Sequence, residues 1–138
     1  MIHGRRYVFV SHARSDNLLV KSFVADLDVD VWADPDHYGD TPAEKILETA
    51  ITNSAAFVVL LTEASIRRPW VRWEVRTALA LGRLPIVPVY CDISPERVPE
   101  PFDALSRYRP VQLPESAAAV RRALAKDVVR MRRYAAPG

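Results

Sequence analysis

Ala55-Ala56-Phe57-Val58-Val59-Leu60-Leu61 is a continuous apolar run. A short run of this kind reads as a strand buried on both faces. Such strands sit inside parallel sheets that carry helices above and below. Upstream, Tyr7-Val8-Phe9-Val10 is a second apolar run, ended by Ser11-His12, and reads as the first strand. Ser15-Asp16-Asn17 offers N-cap residues for a helix whose Leu18, Leu19, Phe23, Val24 and Leu27 face inward. Val29-Asp30-Val31-Trp32-Ala33 alternates as a strand, and Asp34 to Asp40 is a loop by its Pro, Gly and Asp content. Thr41 with Glu44 forms a capping-box pattern, Pro42 suits the first helical position, and Ile46, Leu47, Ala50 and Ile51 line the helix.

Downstream, Pro69 to Leu81 reads as a helix, with Pro69 at its first position. Pro85 to Tyr90 is a strand, and a Pro-rich loop runs from Ser94 to Pro101. Phe102 to Arg109 fits no single element. Val111-Gln112-Leu113 is a weak last strand, and a closing helix begins at Ser116. Strands alternating with helices imply right-handed crossovers. The expected fold is α/β: a flavodoxin-like, doubly wound, five-stranded parallel sheet with helices on both faces. Ligands of such sheets bind outside the carboxyl ends of the strands. That edge collects Ser11-His12, the Asp34–Asp40 loop and Thr62 to Trp70.

At 138 residues the chain has room for one domain with a core and too little for two. Residues 1–134 are expected to form it, with 135–138 a tail or the start of a linker. Hydrophobic residues are 49% and charged ones 26%, an ordinary balance for a globular domain. A formal charge of +2 is too small to argue for nucleic acid by itself, and no direct nucleic-acid partner is expected. The basic stretch from Arg121 to Arg133 reads as a solvated helix face or as a surface for an anionic partner. The single cysteine, Cys91, can form no internal disulfide and lacks companions for a metal site. A cytoplasmic address fits. No signal peptide is visible near Met1, and no apolar run is long enough to span a membrane. The low glycine count of four leaves no Gly-rich phosphate cradle.

Glu74 stands out within the Pro69–Leu81 helix. At about 100° per residue, Trp70, Trp73, Thr77, Ala78 and Leu81 share one face with Glu74 in its middle. Arg72, Arg76 and Arg83 lie opposite. A carboxylate in an apolar stripe loses hydration when that face is covered, which costs free energy. The plain alternative is a surface or ion-paired glutamate. Trp70 divides between core packing and a platform for a flat ligand. Phe9 suits the core. Ser11 and His12 end the first strand, where a phosphate or ribose can approach; a capping role fits Ser11 equally well. Asp34 can be a turn residue, and His37, Tyr38 and Gly39 sit on the loop.

These segments resemble Toll/interleukin-1 receptor (TIR) domains. Tyr7 to His12 is similar to that family's first signature box. Val31-Trp32-Ala33-Asp34 through Gly39 resembles its second strand and the following BB loop. Trp70-Val71-Arg72-Trp73-Glu74 resembles its Trp-Cys-x-x-Glu signature, with valine at the cysteine position. The likeness runs from residue 6 to about 113 and is of the bacterial, NAD-cleaving type. It departs where the family often carries serine, at Thr62 and Arg68, and Arg68 brings a cation to the site.

The resemblance implies cleavage of the nicotinamide–ribose bond of NAD+ by Glu74, as a glycohydrolase or ADP-ribosyl cyclase. Phe9, Ser11, His12, Asp34, Tyr38, Arg68 and Trp70 are the implied substrate-binding residues. NAD+ is the substrate, and no cofactor or metal is needed. The nicotinamide of NAD+ is already cationic, so its departure needs no general acid. The sugar passes through an oxocarbenium-like state that one carboxylate can steady or trap. The resemblance also implies self-association through TIR–TIR contacts, a sensor domain or protein, no membrane, and an effector role in bacterial anti-phage immunity. Two rivals stay open. One is a non-catalytic TIR–TIR adaptor. The other is a nucleoside deoxyribosyltransferase, which shares a related fold and a glutamate nucleophile.

Overall fold

The computed structural model describes residues 7–25, 30–33, 43–108 and 110–112. Five parallel strands form one sheet: β1 (Val8–Ser11), β2 (Val31–Ala33), β3 (Ala56–Leu61), β4 (Ile86–Tyr90) and β5 (Val111–Gln112). Their order is β2-β1-β3-β4-β5. This is the flavodoxin-like order, and it reverses direction between β1 and β3. The register sets Phe9 beside both Trp32 and Phe57, and Ser11 beside Val59. Three helices are described: α1 (Asn17–Ala25), α2 (Ala43–Thr52) and α3 (Pro69–Leu81).

β3 is the central strand, and all six of its residues are buried. Its alternate side chains feed two cores. Phe57, Val59 and Leu61 pack with Phe9, α2, α3 and the turn Phe102–Arg107. Val58 and Leu60 pack with Val8, Val10 and the α1 residues Val20 and Phe23. The continuous apolar run is therefore explained by helices on both faces, as the sequence predicted. The segment that fitted no single element is a 3-10 helix, Phe102–Arg107, anchored by buried Phe102 and Leu105.

Three local expectations change. The second strand is shorter, starting at Val31 rather than Val29. Leu18 is not inward-facing: it is among the exposed large hydrophobics, while Val20 and Phe23 carry the buried stripe of α1. The segment that offered caps for the first helix is partly a 3-10 turn, Arg14–Asp16, and the helix itself starts at Asn17. Leu27, Thr41 and Pro42, the Asp34–Asp40 loop, Leu113, the helix from Ser116 and the 135–138 tail lie outside the described residues, as does the Val24 side chain.

The largest revision concerns α3. Its buried residues are Val71, Glu74, Val75 and Ala78. That stripe is rotated by about a quarter-turn from the Trp70–Trp73–Leu81 face expected from sequence. Trp70 and Leu81 are exposed. Glu74 is buried, but it sits at the edge of the stripe next to Trp70 rather than at its centre. The two faces compete in the sequence because tryptophan outweighs valine in apolar area. Packing against α2 and β3 favours the smaller, tighter-fitting set.

α3 ends at Gly82, whose φ of 79° is left-handed and whose N–H bonds Leu79 O at 3.2 Å. No atom lies within 4 Å of the place where a Cβ would stand. Gly82→Ala therefore meets no clash and pays only the backbone cost, about 1 kcal/mol. A thermal melt should show this modest loss, and Gly82→Asn should recover part of it.

Candidate functional site

Ser11 ends β1 at the carboxyl edge of the sheet, beside the point where strand order reverses. Across that edge, α3 presents Glu74. Ser11 Oγ donates to Glu74 Oε1 at 2.5 Å, with both residues nearly inaccessible at 1% and 2% exposure. The two residues are 63 apart in sequence. Charge-assisted O–H···O bonds of this length are the stronger kind. A buried carboxylate without such partners carries a large desolvation cost.

The turn leading into α3 is built with care around Thr62. Its N–H donates to Ser65 Oγ at 2.9 Å, and Ser65 N–H donates back to Thr62 Oγ1 at 2.9 Å. The Thr62 hydroxyl itself donates to Asp16 Oδ2 at 2.7 Å. Asp16 was expected to cap α1. It instead ties the loop after β1 to the loop after β3, so the segments that carry Ser11 and Glu74 are braced together. Sequence offers no signal for this pair, since Asp16 and Thr62 share no local pattern.

His12 Nδ1 lies 2.9 Å from Ala13 O, a geometry in which Nδ1–H donates. Its Nε2 is buried and has no hydrogen-bond partner among the described residues. Arg68 is exposed at the N-cap of α3, without a capping side chain. Trp70 is 44% exposed and meets Trp73 edge-on, with centroids 5.6 Å apart. Arg76 pairs with Glu100 at 2.9 Å and Arg67 with Glu63 at 3.8 Å. Both pairs are exposed and contribute little to stability.

Of the residues expected to meet a substrate, Phe9 requires correction. It has no exposed surface. Its ring stacks between Trp32, at 5.1 Å, and Phe57, at 5.5 Å. It is a core residue that supports the edge and cannot touch a ligand there. Ser11 and His12 lie at the end of β1, and Arg68 and Trp70 at the start of α3. Asp34 and Tyr38 lie outside the described residues.

A cleft of about 430 Å³ is lined by Tyr7, Trp32, Lys45, Ile46, Thr49 and Ala50. Neither Ser11 nor Glu74 lines it. Two of these residues are joined, the Tyr7 hydroxyl donating to Ala50 O at 2.6 Å. Among the described residues, no three His, Cys, Asp or Glu side chains gather in a metal-binding group. None of the described helices is long and apolar enough to cross a membrane.

Cys91 follows β4 at the same edge of the sheet. Burial, then the charges of Asp92 and Asp16, push its thiol up to about 12 from 9.0. The folded state therefore holds the thiol proton more tightly than the unfolded chain does. The stabilising contribution is complete below about pH 9 and is lost as pH rises toward about 12. The thiolate is the reactive form, so iodoacetamide at pH 8 should alkylate Cys91 ~10³-fold more slowly in the native protein than in urea. Mass spectrometry of timed samples checks this.

Residues 8–125 match the family described as TIR domain. A search of curated proteins finds no match. Among solved structures, the chain resembles the TIR domain of the Toll-related receptor TRR-2 from the lower metazoan Hydra magnipapillata. The TM-score is 0.65 at 17% identity, covering 91% of this chain and 97% of that one. It also resembles the TIR domains of the activated Roq1 resistosome, which directly recognises the pathogen effector XopQ. There the TM-score is 0.58 at 20% identity, with 93% of this chain and 80% of that one covered. Identities this low speak for the fold alone. The family match extends over most of the chain and the fold agrees with these TIR structures, so this protein belongs to the TIR domain family.

Proposed function

We propose that this TIR domain cleaves the nicotinamide–ribose bond of NAD+, as a glycohydrolase or ADP-ribosyl cyclase, with Glu74 as the catalytic group. The observation that carries the reading is a nearly inaccessible carboxylate held at the carboxyl edge of the sheet by a buried hydroxyl. Folding has already removed most water from Glu74. A charge preorganised in this way stabilises a developing cation more strongly than one in bulk water.

In the reaction the N-glycosidic bond breaks, and its electron pair goes to the nicotinamide nitrogen. That nitrogen thereby loses its positive charge. The ribose carries the positive charge, which the Glu74 carboxylate steadies or traps covalently. Water then adds at C1′ and releases a proton, giving ADP-ribose. Attack by a ring nitrogen of the adenine gives a cyclic product instead. The exposed face of Trp70, one turn from Glu74, suits a flat ring. Arg68, exposed at the start of α3, suits the pyrophosphate, and His12 follows Ser11 at the strand end where a ribose can approach. Self-association through TIR–TIR contacts would complete the site, and Asp34 and Tyr38 stay substrate-binding candidates by family resemblance. A cytoplasmic effector role in bacterial anti-phage immunity, switched on by a sensor domain or protein, fits this chemistry.

The test is to incubate concentrated protein, with and without an agent that drives assembly, with NAD+ and to quantify nicotinamide. Release that depends on assembly supports the proposal. No turnover in any assembled state overturns it in favour of an adaptor that signals by TIR–TIR contact. Base exchange on deoxynucleosides overturns it in favour of a deoxyribosyltransferase.

A further inference from the structure

Phe57, Phe9 and Trp32 stand at matching positions of β3, β1 and β2. Their rings stack in that order, with centroids 5.5 and 5.1 Å apart and planes tilted by 8° and 13°. Those steps are close to the separation of neighbouring strands, about 4.8 Å, so the sheet itself sets the stack. β2 is the last strand in the sheet order. The stack therefore ends at Trp32, which is half-buried. Among the described residues no further ring stacks on it. Trp32 instead lines the cleft of about 430 Å³, together with Tyr7 just before β1 and Lys45, Ile46, Thr49 and Ala50 of α2.

The lining selects a class of ligand. Trp32, Ile46 and Ala50 supply apolar wall. The Tyr7 hydroxyl proton is already given to Ala50 O at 2.6 Å. The donors that remain are the Thr49 hydroxyl and the Lys45 ammonium, both on exposed residues of α2. Lys45 has no ion-pair partner among the described residues. None of the described residues that line the cleft carries a carboxylate. An apolar wall with a few polar groups, at this volume, is the usual form of a small-molecule site. The geometry points to a second binding site, between β2 and α2 and apart from Ser11 and Glu74, for a flat aromatic anion such as a fused-ring carboxylate. The ligand ring extends the Phe57–Phe9–Trp32 stack by one step, and its charge meets Lys45. A neutral ring leaves the ammonium unused, and an anion without a ring leaves the Trp32 face bare.

The test titrates 2-naphthoate into 15N-labelled protein and follows the indole N–H resonances of the three tryptophans. The Trp32 resonance is the one lost in Trp32→Phe, which keeps a ring in the stack. It should move and saturate below ~1 mM probe. 2-Naphthamide, with the same rings and no charge, should bind several-fold more weakly. Lys45→Glu should weaken 2-naphthoate ~10-fold, since attraction becomes repulsion. Thr49→Trp fills the cleft from an exposed helical position and should abolish the shift. Circular dichroism checks that both variants stay folded. The absence of a saturable Trp32 shift overturns the inference, and so does equal affinity for the amide or in Lys45→Glu. Shifts confined to Trp70 and Trp73 overturn it as well, because they place the probe at the start of α3. The readout involves no NAD+, so this result and the fate of the role proposed for Glu74 are judged separately.

Discussion

Glu74→Gln is expected to lower nicotinamide release from NAD+ by at least about 10³-fold while the domain stays folded. The substitution keeps the shape of the side chain and one carbonyl oxygen. Ser11 Oγ, which donates to Oε1 at 2.5 Å, therefore still finds an acceptor. What disappears is the negative charge, and with it both electrostatic support for the ribose cation and any covalent adduct. Removing a single preorganised group of this kind typically costs at least 10²–10³-fold in other enzymes. Glu74→Ala should be equally inactive and also less stable. It leaves a cavity and strands the Ser11 hydroxyl without a partner in a place with 1% exposure. The comparison is made by nicotinamide chromatography beside circular dichroism and a urea melt. Residual activity in Glu74→Gln above a tenth of the parent rate removes this carboxylate from the mechanism.

Phe9→Ala should destabilise the domain by about 3–5 kcal/mol, enough to unfold a domain of ordinary stability near physiological temperature. Phe9 has no exposed surface and lies between two rings, with Trp32 at 5.1 Å and Phe57 at 5.5 Å. Its removal opens a void at the junction of β1, β2 and β3, where no neighbour can collapse without leaving its own strand. A urea melt should show a lowered midpoint with an unchanged slope. Phe9→Leu, which fills more of the space, should recover part of the loss. A role for Phe9 in binding would give the opposite pattern: preserved stability and a raised KM for NAD+.

The architecture was legible because it rests on patterns with a local cause. The apolar run of β3 demanded cover on both faces, and the alternation of runs with periodic helices left parallel crossovers as the economical arrangement. Pro69 marked the start of α3, and it is the first residue of that helix. The burial of Glu74 was also anticipated, although for a partly mistaken reason. The wheel drawn around Trp70 and Leu81 placed it at the centre of a face that is in fact half open to solvent. Helical periodicity reports which residues share a side, and two adjacent apolar sides were available. Choosing between them requires knowing the shape of the surface on which the helix lies.

By itself the sequence determined the order of elements, the two-sided burial of the central strand and the presence of an acid in a largely apolar helix. These follow from period, run length and residue type, which act over a few positions. Only the tertiary structure decided which stripe of α3 is buried, that Asp16 serves Thr62, and that Ser11 grips Glu74. Each of those pairings joins positions 46 or more apart, or depends on the fit of one surface to another. Contacts of that range arise from the packed sheet edge, where strand ends and helix starts from distant parts of the chain are brought within a hydrogen bond of each other.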